Sequence, residues 1–89
     1  MLKQHNKLVD VSIVSHGHSD LVSQLLRDLM LFKEVNRILV TVNIPEKPIL
    51  VPKEIMGKTD IIFNKVAKGF GENHNNALRS SRTKYLCIL

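Results

Sequence analysis

The chain carries a single cysteine, no tryptophan and no apolar run long enough to cross a bilayer. With Cys87 alone, no internal disulfide can close, which suits a reducing compartment. Within the apolar run Tyr85 to Leu89, that thiol is expected to be buried and structural. The aromatic residues are Phe32, Phe63, Phe70 and Tyr85. The core must therefore be Val, Ile and Leu, as in α/β sheets, and no ladder of rings is available for the bases of a single strand to stack on. The longest apolar helical stretch, Leu25 to Phe32, is broken by Arg27 and Asp28 and is too short to span a membrane. Met1 to Lys7 is polar, without the apolar segment of a signal peptide. A cytoplasmic protein is expected, in solution or at the inner face of the membrane.

Acidic residues are also scarce. Eight Asp and Glu face 13 Lys and Arg, giving a net charge of +5 and a pI near 9.7. Such a balance suits an anionic partner (a nucleotide, nucleic acid or an acidic membrane surface), or it is an ordinary solvated surface. The positive residues are scattered, with one local concentration at Arg79, Arg82 and Lys84. Nucleic acid is the weaker candidate, because no aromatics are interleaved there. Eighty-nine residues make one domain at most, and 44% hydrophobic content fits a folded chain. So small a domain buries a modest share of its surface.

Along the chain, Leu8 to Ser15 reads as a first strand, with β-branched Val9, Val11, Ile13 and Val14 suited to burial on both faces. His16-Gly17-His18 breaks it. Ser19 is a candidate helix cap and Asp20 a favourable first-turn charge, so a helix is expected from Asp20 to Lys33. Arg37 to Val42 is the second strand. Pro45, Pro48 and Pro52 then impose an irregular loop, with a short turn near Lys53 to Met56. Thr59 to Phe63 is the third strand, Glu72 to Ser81 the second helix and Tyr85 to Leu89 the fourth strand. This alternation predicts an α/β fold: a Rossmann-like, mostly parallel four-stranded sheet with two helices. The fourth strand would present an exposed apolar edge through Leu86 and Ile88, which invites self-association.

Ligands of open α/β sheets bind outside the carboxyl ends of the strands. The segments expected there are Ser15 to Asp20, Thr41 to Glu46 and Asn64 to Asn76. Ser15, His16, Gly17 and His18 either line a pocket and aim a helix N-terminus at an anion, or form a plain turn. His16, His18 and Asp20 are too few for a metal, and no metal site is assigned. The stretch Lys68-Gly69-Phe70-Gly71-Glu72-Asn73-His74-Asn75-Asn76-Ala77 is the most informative. A glycine pair followed by amides is poor core material and good material for a turn with a rack of hydrogen-bonding groups. Gly69 and Gly71 lack the third glycine of a dinucleotide fingerprint, and no helix start is expected in register with them. They read as a loop that lets backbone approach a ligand. Lys68 either offsets ligand charge or is solvated, and His74 is structural or exposed.

Three segments carry a family resemblance: Val11-Ser12-Ile13-Val14-Ser15-His16-Gly17-His18, then Arg37-Ile38-Leu39-Val40-Thr41-Val42-Asn43, then the Lys68 to Ala77 stretch. Together they resemble the start of a family-two glycosyltransferase of the GT-A type, most closely its rhamnosyltransferase-like branch. The resemblance covers nearly the whole chain, and the Gly-Phe-Gly-x-Asn-His-Asn stretch is its most specific part. It implies the nucleotide-sugar-binding half of an enzyme that moves a sugar from a nucleotide-diphosphate donor to an acceptor hydroxyl. It further implies nucleotide contacts through Ser15, His16, Gly17, His18, Asn43, Lys68, Gly69, Phe70, Gly71 and Asn75. The family's diphosphate-binding metal motif would follow directly after the fourth strand. A divalent metal (manganese or magnesium) is thus implied for a full-length member, and residues 1 to 89 are expected to be a single, truncated domain without a catalytic residue. The chain departs from the family at three places. Val42 stands where an acidic residue usually contacts the base or ribose, Ala67 stands for an Asn, and His16-Gly17-His18 replaces Tyr-Asn.

Overall fold

The computed structural model describes residues 8–81, 83 and 85–89, with Phe70 and Ser80 described by their backbone. The elements are β1 (Val9–Ser15), α1 (Ser19–Leu29), β2 (Val35–Val42), a 3-10 helix (Lys53–Lys58), β3 (Thr59–Phe63), α2 (Phe70–Ser80) and β4 (Tyr85–Ile88). The four strands form one sheet in the order β3-β2-β1-β4, and every pairing is parallel. The expected α/β sheet with two helices is therefore present, wholly rather than mostly parallel. After β2 and β3 have been laid on one side of β1, the chain crosses to place β4 on the other. The reversal of strand order lies between β1 and β4.

The two faces of the sheet differ. Val11 and Ile13 of β1, with Ile38, Val40 and Val42 of β2, pack against Val22 and Leu26 of α1. Leu26 is fully buried, and removing such a side chain from water stabilises a fold by about 1.5–3 kcal/mol. The proline-rich loop completes this layer: Ile55 is buried, and Ile49 and Val51 pack beside it. Leu50 N–H donates to Ser23 Oγ (2.9 Å), which pins the loop to α1.

The opposite face, under α2, is polar. Asp10 and Ser12 of β1 point to it and are buried. Ser12 Oγ and His74 Nδ1 are hydrogen-bonded at 2.8 Å. Asp10 accepts from Asn36 Nδ2 (3.0 Å) and from Ser81 Oγ (2.9 Å). The first strand is thus buried on both sides as its central place requires, yet only one side is apolar.

Several boundaries move. The first helix ends at Leu29 rather than Lys33, because Leu31 N–H and Phe32 N–H bond to Asp28 and Leu29 three residues back, tightening the turn out of α-geometry. His18, not Ser19, is its cap residue, and it makes no side-chain capping bond. The second helix begins at Phe70 rather than Glu72. Gly69 is extended at its start, and Asn73 N–H closes the first turn on Gly69 C=O. Cys87 is exposed rather than buried, because β4 is an edge strand covered on one flank only, by β1. Tyr85 and Ile88 are likewise exposed. Arg82, Lys84 and the polar segment 1–7 lie outside the described residues.

Candidate functional site

Parallel β–α units bring the ends of β1, β2 and β3 and the starts of both helices to one rim of the sheet. Asn43, the first residue after β2, is the hub there. It is buried, with 5% of its surface exposed. Its Oδ1 accepts from Lys68 N–H (2.8 Å), Asn64 Nδ2 (2.8 Å) and Asn73 Nδ2 (3.3 Å). Its Nδ2 donates to Lys68 C=O (2.9 Å) and meets His16 Nδ1 at 3.1 Å. The Lys68 backbone fixes which end of the Asn43 amide is which, since N–H must face oxygen and C=O must face nitrogen. His16 Nδ1 is then the acceptor, and the neutral ring carries its proton on Nε2. Asn64 Nδ2 also donates to Asn73 Oδ1 (2.8 Å). The loop after β3 is thereby tied by amides to the end of β2 and, through Asn43, to the His16 ring after β1.

A second knot lies beside it. Glu46 Oε2 accepts from Ser15 Oγ (2.8 Å) and from Gly17 N–H (3.1 Å). Gly17 has φ +82°, a backbone conformation that side chains resist, so glycine is required there by the turn itself. Glu46 Oε1 is buried and, among the described residues, accepts no hydrogen bond.

The residues singled out from sequence are distributed unevenly. His16 and the Lys68 backbone join the Asn43 network. Ser15 is fully buried and spends its hydroxyl on Glu46, so it orders the turn and presents no side chain to a ligand. His18 is exposed at the start of α1. Lys68 Nζ lies 3.9 Å from Glu72 Oε2, a loose pair on the surface. Gly69 and Gly71 are not a free loop: they flank the first residue of α2, and a Cβ at either would meet open space. No tight backbone approach needs a glycine at either position. The Phe70 side chain lies outside the described residues. Asn75 is exposed and outside the network; the amide that holds the loop is Asn73, two residues earlier and only 2% exposed.

Sequence reasoning placed Asn64, Asn73 and Glu46 in the rim segments without singling them out. Asn64 and Asn73 each follow a recognised element boundary, but nothing in their spacing shows that their amides meet across 30 residues of chain at Asn43. His74 lies under the sheet bonded to Ser12, and burial lowers its pKa from the ordinary 6.5. Among the described residues no group of three or more His, Cys, Asp or Glu can hold a metal ion.

Two depressions adjoin the rim. The larger, about 570 Å³, runs under α2 along the open faces of β2 and β3, past Arg37, Thr41, Asp60, Ile62 and Asn76. The smaller, about 210 Å³, is lined by Val42, Glu46, Ile49, Ile61 and Phe63. Comparison of the chain with family models, with curated proteins and with solved structures yields no match.

Proposed function

We propose that this chain is the sugar-nucleotide-binding portion of a glycosyltransferase. The observation that carries the reading is the amide knot at Asn43, which holds the loop through Lys68 against the ends of β1 and β2. It sits where parallel sheets of this kind take ligands, beside two helix N-termini suited to anions. The family resemblance of the three segments forming this rim supports the same assignment. In the complete reaction an acceptor hydroxyl attacks the anomeric carbon of the donor. The bond to the diphosphate breaks, the nucleoside diphosphate leaves with the electron pair, and the hydroxyl's proton is released.

This chain's share is positioning. His16 and His18 with the Gly17 turn border the nucleoside, while Lys68 and the start of α2 face the diphosphate. Orientation of this kind lowers the barrier by removing the entropy of encounter. A cytoplasmic place of work belongs to the same proposal. Among the described residues no helix is long and apolar enough to cross a membrane. No catalytic residue is assigned, and binding without turnover is the expected behaviour.

Amide chemical-shift mapping tests the proposal. Uridine or thymidine diphosphate sugars should move the resonances of residues 15–20, 43–46 and 64–72 and leave β4 unmoved. If no nucleoside diphosphate perturbs these loops at millimolar concentration, the proposal fails. Shifts around Arg79 on adding an oligonucleotide, fading steeply with salt, would instead support a binding module for nucleic acid.

A further inference from the structure

β3 is an edge strand, and among the described residues no strand pairs with its outer side. Asn64 N–H donates to Val42 C=O (3.0 Å). Backbone groups alternate along a parallel ladder, so Ile62 and Asp60 face β2 as Asn64 does. Ile61 and Phe63 therefore turn N–H and C=O outward. The side chains of Ile62 and Phe63 are also open, at 47% and 72% exposed. Such an edge is a template for another strand, and folded proteins usually blunt it with proline, charge or a bulge. β3 contains no proline, and its one charged residue, Asp60, is paired with Arg37.

The two depressions lie one on each face of this same strand. Asp60 and Ile62 line the larger, Ile61 and Phe63 the smaller. A strand laid along β3 would send its side chains alternately into one and the other, because successive residues point to opposite faces. We propose that the β3 edge docks an extended, acidic peptide segment of another protein, which joins the four-stranded sheet as an added strand. Main-chain hydrogen bonds to Ile61 and Phe63 hold it, and the depressions select its side chains. One aliphatic side chain enters the smaller depression, between Val42, Ile49, Ile61 and Phe63. Its two neighbours lie over the larger one, where Thr41, Asn76 and the Arg37–Asp60 pair suit polar groups.

Charge selects the partner. Lys58 immediately precedes β3, Lys65 lies two residues beyond it, and Lys47 stands at the smaller depression. The acidic groups beside them are engaged: Asp60 by Arg37, and Glu46 by Ser15 and Gly17. Aspartate or glutamate at the ends of the incoming segment is therefore favoured. The same lysines disfavour a second copy of this chain. Pairing β3 with itself across a two-fold axis would bring Lys58 of each copy alongside Lys65 of the other, like charge against like. Peptide docking at this edge does not require that the rim bind a nucleotide.

The probe is a synthetic heptapeptide with a central leucine, threonine on either side and aspartates at both ends, titrated against the whole chain. Resonances of residues 59–63 should shift. Hydrogen exchange should slow at the Ile61 and Phe63 amides and stay unchanged at Ile62, which already faces β2. Exchanging the aspartates for lysines should weaken binding about tenfold or more, and so should Phe63→Asp. Two further peptides carry N-methyl groups at alternate residues. Methyls turned away from β3 are tolerated and methyls turned toward it are not, so one of the two should bind and the other should not. Absence of shifts in residues 59–63 at millimolar peptide, equal binding of both methylated peptides, or slowed exchange in β4 in place of β3 overturns the assignment. Slowed exchange at Ile61 and Phe63 that grows with protein concentration and needs no peptide, with a dimer by sedimentation, gives the edge to a second copy and overturns it too.

Discussion

Replacing Asn43 by alanine should cost far more than a surface asparagine usually does. The side chain accepts from Lys68 N–H and Asn64 Nδ2 at 2.8 Å, and donates to Lys68 C=O at 2.9 Å and His16 at 3.1 Å. Each such bond contributes about 1 kcal/mol net. Asn64 and Lys68 C=O keep bonds to Asn73, while Lys68 N–H loses its partner. Water can reach the loop side of the site, since Lys68 is exposed, and this recovers part of the loss. The expected cost is about 3 kcal/mol, a Tm lower by about 12–24 °C for a domain of this size.

Circular dichroism melts measure the first quantity, and hydrogen exchange at the Lys68 amide locates the damage. Asn43→Asp is the informative companion. It keeps the acceptor for Lys68 N–H but loses the donor to Lys68 C=O, so it should protect the Lys68 amide while still lowering Tm. A Tm change below about 4 °C for Asn43→Ala, or unchanged exchange at Lys68, would refute the view that these amides hold the loop.

Three further outcomes are expected. Gly17→Ala should destabilise the chain by about 1–2 kcal/mol, because φ is +82° there; an unmoved urea midpoint would contradict this. Burial lowers the His74 pKa below 6.5, so the unfolded chain takes up that proton first as pH falls. Stability from this group is complete above pH 6.5 and is lost as pH falls toward the depressed native value. His74→Gln should accordingly show a shallower loss of Tm than the unsubstituted chain between about pH 7.5 and about pH 5.5, and parallel curves would dispose of the argument. Cys87 is exposed on the edge strand and should react with a disulfide reagent without denaturant; protection until unfolding would show that β4 is covered.

Much of the fold was legible from residue patterns. β-branched runs marked the strands, and Thr59–Phe63 falls at the expected limits. Helical spacing of Val22, Leu25, Leu26 and Leu29 marked α1, and three prolines marked the loop. Helix ends were less legible, because they depend on which carbonyl each terminal N–H finds. Leu31 and Phe32 are apolar enough to continue α1, but they reach back only three residues and leave the helix. The site was legible in location and partly in membership. Asn43, His16 and Lys68 were in view, while Asn75 was singled out where Asn73 does the holding.

From local chemistry alone, the chain settled its element types, its parallel α/β class and the rim on which polar loops gather, because periodicity and turn residues act over a few positions. Three things waited for the strands to be placed side by side. One is the polar second face, where Ser12 meets His74 across 62 positions. Another is the exposure of Cys87, which follows from β4 taking the edge. The last is the idle oxygen of Glu46, which exists only because Ser15 and Gly17 occupy its twin from 31 and 29 residues away. Hydrogen bonds between distant residues depend on ångström-scale placement, and a linear pattern carries no information about distance across a sheet.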